Sequence, residues 1–256
     1  MFNKQTLDAV RSLLLFQADD HLIIGHRNSE WTGLGPILEE DIAFSSIAQD
    51  KIGHALGLYT ILNENLGEAE PDTLAFMRNE SDFTSCQLVE LPIGEYDFSL
   101  VRHLFFDTAA LIRFEDLATS SFDPVAKLAR KVKGEIKYHV FHANTFIKQL
   151  GHGSEESKAR LQSAINQNFG LALGMFESFE GEKLLIDQGI YKGEGAIREA
   201  WLGELQAVLL EADLKMPDAG KVEPVYGGRK GFHTEYLQPL LDEMTEVFRV
   251  DPAAEW

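Results

Sequence analysis

The sequence has few of the residues that mark secreted or nucleic-acid-binding proteins. Its 256 residues include one cysteine, Cys86, which cannot close a disulfide within the chain, so a reducing, cytoplasmic location is favoured. Only 23 Lys and Arg stand against 41 Asp and Glu, giving a formal net charge of -18. Because phosphate groups are bound by basic surfaces, this charge argues against nucleic acid and against an anionic membrane surface as partners.

Long apolar runs and linker-like segments are also missing. The opening segment MFNKQTLDAVRSLLLFQADD has too short an apolar run for a signal peptide or a membrane span. There are 8 prolines, and no stretch is biased toward Gly/Ser, Pro or one charge sign. We therefore expect an acidic soluble protein that forms a single domain over residues 1–256.

The common catalytic motifs are absent as well. The glycines around 25–35 and 227–231 lack the spacing and the strand context of a phosphate-binding loop. The sequence has no Gly-x-Ser-x-Gly elbow, and Cys86 has no histidine close to it along the chain. The sequence therefore predicts neither a nucleotide-binding fold nor a nucleophilic enzyme.

Apolar residues recur with the helical period along most of the chain, and no segment has the pattern of a strand. This periodicity predicts an all-α protein, a four-helix bundle core with additional peripheral helices. The predicted helices cover 5–25, 39–66, a short segment from Asp72, 98–118, 123–150, 154–179, 194–213 and 234–249. Residues 82–96 are expected to be irregular.

Two of the long helices carry an acid and a histidine four residues apart. QDKIGH contains Asp50 and His54, and GEIKYH contains Glu135 and His139. Each pair follows a helix with an acid at a similar distance along the chain: Asp20 lies 30 residues before Asp50, and Asp107 lies 28 residues before Glu135. Two such hairpins have the layout of a ferritin-like carboxylate bundle, in which these side chains face one interior.

The ligand pattern of such a bundle is nevertheless incomplete. A di-iron bundle places a Glu three residues before each histidine, and these positions hold Lys51 and Ile136 here. One hypothesis is a vestigial site in which a buried Lys51 replaces the lost metal charge near the acids. The alternative is a rearranged di-metal site built from Asp50/His54 and Glu135/His139, since residues four apart share a helix face.

Several longer stretches carry a resemblance to a known family. They are DTLAFMRNESDFTSCQLVELPIGEYDFSLVRHLFFDTAAL, the KGEIKYH helix and the tail segment GGRKGFHTEYLQPLLDEM. Together they resemble the C subunits of the multicomponent ring 1,2-epoxidases that act on phenylacetyl-CoA in aerobic phenylacetate catabolism. The resemblance extends over nearly the whole chain and implies a ferritin-like fold in a bacterial cytosolic protein.

The resemblance also implies a division of labour among the proteins of the complex. The catalytic A subunit of such an enzyme holds the di-iron centre, and the C subunit supports it without binding metal. The full system adds a small B subunit, a reductase with FAD and an iron–sulfur cluster, NADPH and O2. By position, His54 and His139 match ligand histidines of the A subunit, and Asp107 matches a carboxylate.

The other positions depart from the catalytic pattern. Lys51 and Ile136 fall on the two motif glutamates of the A subunit, and Asp20 is one residue out of register with its first-helix acid. The resemblance therefore implies a non-catalytic structural subunit that binds no cofactor of its own. A self-sufficient di-metal oxidase remains the alternative, and a homodimeric binding protein is a third interpretation.

The tail holds a basic doublet, Arg229 and Lys230, which is rare in this acidic chain. It is either a solvated turn or a contact with acidic groups of a partner subunit or with CoA phosphates. No member of the doublet has a predicted catalytic role.

Overall fold

The computed structural model describes residues 2–252 and 254, and these residues form α-helices, short 3-10 helices and no β-strand. The all-α class predicted from the sequence is confirmed. The α-helices are α1 (Lys4–Ser29), α2 (Leu38–Leu66), α3 (Pro71–Phe76), α4 (Gln87–Glu90), α5 (Tyr96–Leu117), α6 (Asp123–Gly151), α7 (Glu155–Gly174), α8 (Glu182–Asp187), α9 (Glu194–Glu211) and α10 (Leu237–Thr245).

The helices are divided between two compact units. Unit 1 contains Ile93–Tyr226 and the described residues of Met1–Val10, and unit 2 contains Arg11–Pro92 and the described residues of Gly227–Trp256. Each unit has one pair of long consecutive helices, as the two-hairpin pattern predicts. The single domain expected over 1–256 stays a prediction.

Unit 2 is organised by the hairpin of α1 and α2. Gly25 permits a close approach, because a Cβ at this position would lie 2.9 Å from Cγ1 of Ile52 and 3.4 Å from the carbonyl oxygen of Ala48. Near the connection between the two helices, the rings of Trp31 and Phe44 lie 5.7 Å apart. The apolar face of α2 is thereby held against the second half of α1.

Unit 1 is built around α5, which contacts α6, α7 and α9. Trp201 of α9 is fully buried, and its ring lies within 5.0–5.9 Å of the rings of Phe105, Phe169 and Phe176. Its indole N–H donates a hydrogen bond of 2.8 Å to the carbonyl oxygen of Phe105. The one polar group of the indole is thus satisfied inside the aromatic cluster, as a dry core requires.

Several helix ends differ from the prediction, among them the ends of α1 and α10, and for two others the structure shows the reason. α7 ends at Gly174 instead of continuing to residue 179, because the next residues form a turn that packs Phe176 into the core. α10 begins at Leu237 instead of near Thr234, because the backbone N–H and the hydroxyl of Thr234 both donate to the buried carboxylate of Glu90. Tertiary contacts thus override the local helical pattern.

Candidate functional site

The acid and histidine positions of α2 lie in unit 2 and differ sharply in burial. His54 is buried, and Lys51, three residues before it, is also buried with 1% of its surface exposed. Asp50, four residues before His54, is only half-buried. The burial that the vestigial-site hypothesis requires of Lys51 is therefore present, while the replacement of a metal charge by Lys51 stays a hypothesis.

The corresponding positions of α6 lie in unit 1 and show the same pattern. Ile136 and His139 are buried, whereas Glu135 is exposed. In both helices the residue three positions before the histidine is buried on the same side of the helix as the histidine. The acid four positions earlier lies toward the edge or the surface.

This pattern bears on whether the chain can hold a di-iron centre. The inward positions that need carboxylate ligands carry an amine at Lys51 and an alkyl group at Ile136, so the donor set does not fit two iron ions. In the part of the chain that the structure describes, no three His, Cys, Asp or Glu side chains are grouped as metal ligands. The assignment of these residues to a vestigial site stays a prediction.

His54 has a histidine neighbour that the sequence pattern did not single out. The ring of His21, on α1, lies edge-on to the ring of His54, with 5.2 Å between their centroids. Both rings are buried in unit 2. The signal in the sequence was weak, because His21 stands on another helix and shares no short motif with His54.

Asp107, the acid predicted on α5, is paired within its own helix. Nδ1 of His103 lies 2.9 Å from Oδ2 of Asp107, and both side chains are fully buried in unit 1. Sequence analysis did not select His103. Its spacing from Asp107 is the same four residues that mark the other two motifs, in the reverse order, so the signal was available.

Asp20, the acid predicted on α1, binds Arg229 of the tail inside unit 2. The two guanidinium NH2 groups each lie 2.8 Å from a different carboxylate oxygen of Asp20, and Oδ1 also accepts from the backbone N–H of Cys86 at 2.7 Å. Only 3% of the Arg229 side chain is exposed, and its guanidinium lies 4.2 Å from the ring centroid of Phe16. Arg229 therefore has an internal role that the sequence did not predict.

Lys230, the second member of the basic doublet, is exposed. The turn that contains it packs closely against Ser85, and this requires a glycine at Gly228 because a Cβ there would lie 2.2 Å from the carbonyl oxygen of Ser85. The predicted contact of Arg229 and Lys230 with a partner or with CoA stays a prediction.

Asp19, next to Asp20, was not selected from the sequence, and both of its carboxylate oxygens also accept hydrogen bonds. Its carboxylate accepts from both terminal nitrogens of Arg78, from the hydroxyl of Tyr59 at 2.6 Å, and from the backbone N–H and hydroxyl of Thr84 at 2.8 and 2.9 Å. Burial, followed by the negative charge of Asp19, raises the pKa of Tyr59 well above its ordinary value. Two consecutive aspartates of α1 thus each take one arginine from a distant segment.

A third polar cluster fastens the tail to the rest of unit 2. His233 is bonded through Nδ1 to Oε1 of Glu90 at 2.7 Å and through Nε2 to the carbonyl oxygen of Phe83 at 3.0 Å. Because both partners are acceptors, the doubly protonated ring satisfies them best. Burial lowers the pKa of His233, but the hydrogen bond and charge of Glu90 outweigh it, and the pKa is raised.

The long helices carry polar and charged side chains along their length. Among the residues described, no helix combines the length and the apolar character needed to cross a bilayer.

Comparisons with known proteins agree with the resemblance carried by the motifs. A family model described as "Phenylacetic acid catabolic protein" matches residues 1–256. The C subunit of the 1,2-phenylacetyl-CoA epoxidase of Escherichia coli K12 is 34% identical over 240 residues, covering 93% of this chain and 95% of that protein. The A subunit of the same enzyme is 30% identical over 173 residues, covering 66% of this chain and 55% of its own length. The ferritin-like, all-α fold class is confirmed by this family match and the helical structure.

Proposed function

We propose, from the premise that the chain belongs to the phenylacetic acid catabolic protein family, that it is a non-catalytic structural subunit of a phenylacetyl-CoA ring 1,2-epoxidase. In this proposal it supports a di-iron catalytic protein related to the A subunit of the Escherichia coli enzyme, and it acts in aerobic phenylacetate catabolism. The match to the C subunit over 95% of that protein supports assignment to the supporting role.

The observation that carries the non-catalytic role is the burial pattern around the two histidines. Lys51 and Ile136 occupy the inward positions where a di-iron bundle needs glutamates, while Glu135 is exposed. A buried amine and a buried alkyl group offer no carboxylate oxygens to a hard cation. The chain therefore contributes structure to the complex, and the oxygen chemistry belongs to another subunit.

The remaining parts of the proposed system follow from the same premise. Di-iron is assigned to the A subunit, FAD and an iron–sulfur cluster to a reductase, and NADPH and O2 are consumed by the complex. The system also includes a small B subunit, and the setting is cytoplasmic. Neither nucleic acid nor a membrane is a partner in this proposal.

Co-expression tests the proposal directly. The chain is produced together with a catalytic protein of the A type, and complex formation and phenylacetyl-CoA turnover are measured with and without it. We expect co-purification in a fixed ratio and a rate that falls when the chain is omitted. If the two proteins purify separately and the rate of turnover is the same with and without the chain, the structural role is refuted.

The alternative, a self-sufficient di-metal oxidase using Asp50/His54 and Glu135/His139, makes a different prediction. It requires about two bound metal ions per chain that are lost together when His139→Ala is introduced. Metal analysis of the purified wild-type chain and of this variant separates the two functions. The exposure of Glu135 favours the structural role.

Within the complex we assign the partner or CoA contact of the basic doublet to the exposed Lys230, with Arg229 holding the turn in place. Lys230→Glu is expected to weaken complex formation or to raise the apparent KM for phenylacetyl-CoA, because it replaces a cation facing acids or phosphates by an anion. The matched control is Lys221→Glu, at another exposed lysine of the acidic chain. If the two variants give the same result in both assays, Lys230 does not make the proposed contact.

A further inference from the structure

The helix α6 concentrates positive charge in a chain that is otherwise acidic. Of its 29 residues, six are Lys or Arg and two are acids, whereas the whole chain has 23 Lys and Arg against 41 Asp and Glu. The cations are Lys127, Arg130, Lys131, Lys133, Lys137 and Lys148, and the acids are Asp123 and Glu135. Because exposed charges farther apart than about 8 Å are largely screened at physiological salt, this helix attracts anionic groups locally in spite of the net charge of -18.

Most of these cations lie on or beside one exposed face of α6. Lys127, Lys131, Gly134, Tyr138 and Phe141 follow one another at alternating intervals of four and three residues, and all five are exposed. The buried residues of α6 lie on the opposite side of the helix. The exposed face therefore carries two lysines in its first half and two aromatic rings in its second half.

The two aromatic side chains of this face are open to solvent. Tyr138 and Phe141 are 73% and 65% exposed, and their ring centroids lie 6.2 Å apart. Aromatic side chains are enriched at contacts between proteins, where they supply large contact areas and are often surrounded by polar residues. An exposed aromatic pair beside several cations is therefore typical of a surface that binds another protein.

Gly134 leaves a notch in the middle of the same face. A Cβ at this position would meet no atom within 4 Å, so packing inside the chain does not require a glycine, although glycine is unfavourable inside a helix. Its neighbours on the helix surface, three and four residues away on either side, are Arg130, Lys131, Lys137 and Tyr138. The bare backbone thus lets a partner approach the helix closely, between three cations and an aromatic ring.

The ion pairs that these cations already make are weak competitors. Nζ of Lys127 lies 2.7 Å from a carboxylate oxygen of Asp123, and Nζ of Lys137 lies 3.2 Å from one of Glu115. All four side chains are exposed, and surface pairs of this kind contribute little to stability. Carboxylates of another molecule can therefore replace them at little cost.

We propose that this face of α6, from Lys127 to Phe141, binds an acidic segment of another protein. The segment places carboxylates against the cations and an apolar side chain against Tyr138 and Phe141. The exposed side of a single helix is convex, which suits a protein surface, whereas small ligands bind in concave sites. The proposal concerns this chain alone and does not rest on its role in an epoxidase.

Charge argues against the other macromolecules that could cover the face. A nucleic acid would meet the acidic surface of the rest of the chain, which repels phosphate groups. In a two-fold pair of this chain the cations of one α6 would face the cations of the other, and like charges across a contact are destabilising. An acidic protein segment satisfies the cations without either conflict.

The test measures the binding of two synthetic peptides to the purified full-length chain by fluorescence anisotropy. The first peptide is helical, with glutamates interleaved with leucines on one face, and the second has glutamine in place of every glutamate. We expect the first peptide to bind with an affinity that falls as salt is added. The second should bind about tenfold more weakly or less, because it offers no carboxylates to the cations.

Two double variants test the two halves of the face. Lys127→Glu/Lys131→Glu should weaken binding of the first peptide by about tenfold or more, because carboxylates then face carboxylates. Tyr138→Ser/Phe141→Ser should weaken it by a similar factor at every salt concentration, because the lost contact is apolar. All four side chains are exposed, so thermal melts should show both variants folded.

Gly134→Gln separates a contact at the notch from a role in folding. Glutamine is the better helix former, so this variant should melt at or above the wild-type temperature. It should nevertheless bind the first peptide more weakly, since the new side chain fills the notch. The matched control is Lys4→Glu/Lys183→Glu, which changes the net charge by the same amount at two exposed lysines outside α6 and should keep the wild-type affinity.

Several results would overturn the proposal. They are a first peptide that does not bind at low salt, a second peptide that binds equally well, and a control that loses as much affinity as Lys127→Glu/Lys131→Glu. Direct binding of CoA or inorganic phosphate that this α6 variant abolishes would assign the face to a phosphate ligand instead. Self-association of the wild-type chain that the same variant abolishes would assign it to a second copy.

Discussion

Arg229 and Asp20 form a bidentate ion pair in the interior of unit 2, although they are far apart in the sequence. The pair joins the tail to α1, one residue away from the carboxylate of Asp19 that binds Arg78. A planar guanidinium matches a carboxylate in a way that an ammonium cannot, so the site requires arginine. The position predicted as a metal acid thus serves as an anchor for the tail.

Arg229→Met should strongly destabilise the protein. Removing the guanidinium leaves the Asp20 carboxylate buried without its counter-ion, which costs about 3–5 kcal/mol in comparable pairs. Urea unfolding of the full-length chain measures the change in the free energy of unfolding. Lys230→Met is the control, and it should cost little because Lys230 is exposed. Equal losses for the two variants would mean that the ion pair does not anchor the tail.

Ile136 and Glu135 give a second comparison, made on neighbouring residues of α6. Ile136→Ala should cost about 2–5 kcal/mol, because it opens a cavity at a fully buried position. Glu135→Ala should cost less than about 1 kcal/mol, as expected for an exposed charged residue. Denaturant unfolding checks both values. The reverse order, or a loss of bound metal in Glu135→Ala, would favour the di-metal alternative.

The raised pKa of His233 makes the stability of unit 2 depend on pH. Its protonated form is favoured by folding, so this contribution is complete below the ordinary value of 6.5 and is lost as the pH rises through the higher folded pKa. Burial lowers the pKa of His26, partly offset by Glu243, so the contribution of His26 changes only as the pH falls below 6.5. The two pH ranges do not overlap.

The measurement for His233 is the free energy of unfolding from pH 6 upward, in the wild type and in His233→Gln. Wild-type stability should decline above pH 6.5 relative to the variant, because the ring loses the proton that it shares with Glu90. The control is Gln238→Ala, at an exposed residue of α10 that carries no titratable group, and it should retain the wild-type slope. A slope that His233→Gln leaves unchanged would assign the pH dependence to other groups.

Much of the helical structure could be predicted because its signals are local. The apolar period placed α2, α5 and α6 within two residues of their observed ends, and the pair Asp123-Pro124 marked the start of α6. The burial of Lys51 followed from its position among apolar neighbours on the same helix. The family resemblance came from longer stretches of sequence, and the family match confirms it.

The polar clusters could not be predicted in the same way. Asp19 and Asp20 look alike in the sequence, and only the tertiary structure assigns Arg78 to one and Arg229 to the other. These partners are far apart along the chain, so no local spacing reveals them. His103 and Asp107 are the exception, because their four-residue spacing on one helix was visible in the sequence.

The central claim, that this chain supports catalysis without performing it, is tested most directly by replacing both predicted ligand histidines inside the complex. Phenylacetyl-CoA turnover is measured with the catalytic protein, the reductase and the B subunit, adding either the wild-type chain or His54→Gln/His139→Gln, after assembly of each complex is verified. The account predicts equal rates for the two complexes and a lower rate when the chain is omitted. A variant complex that assembles normally but no longer turns over substrate would contradict it.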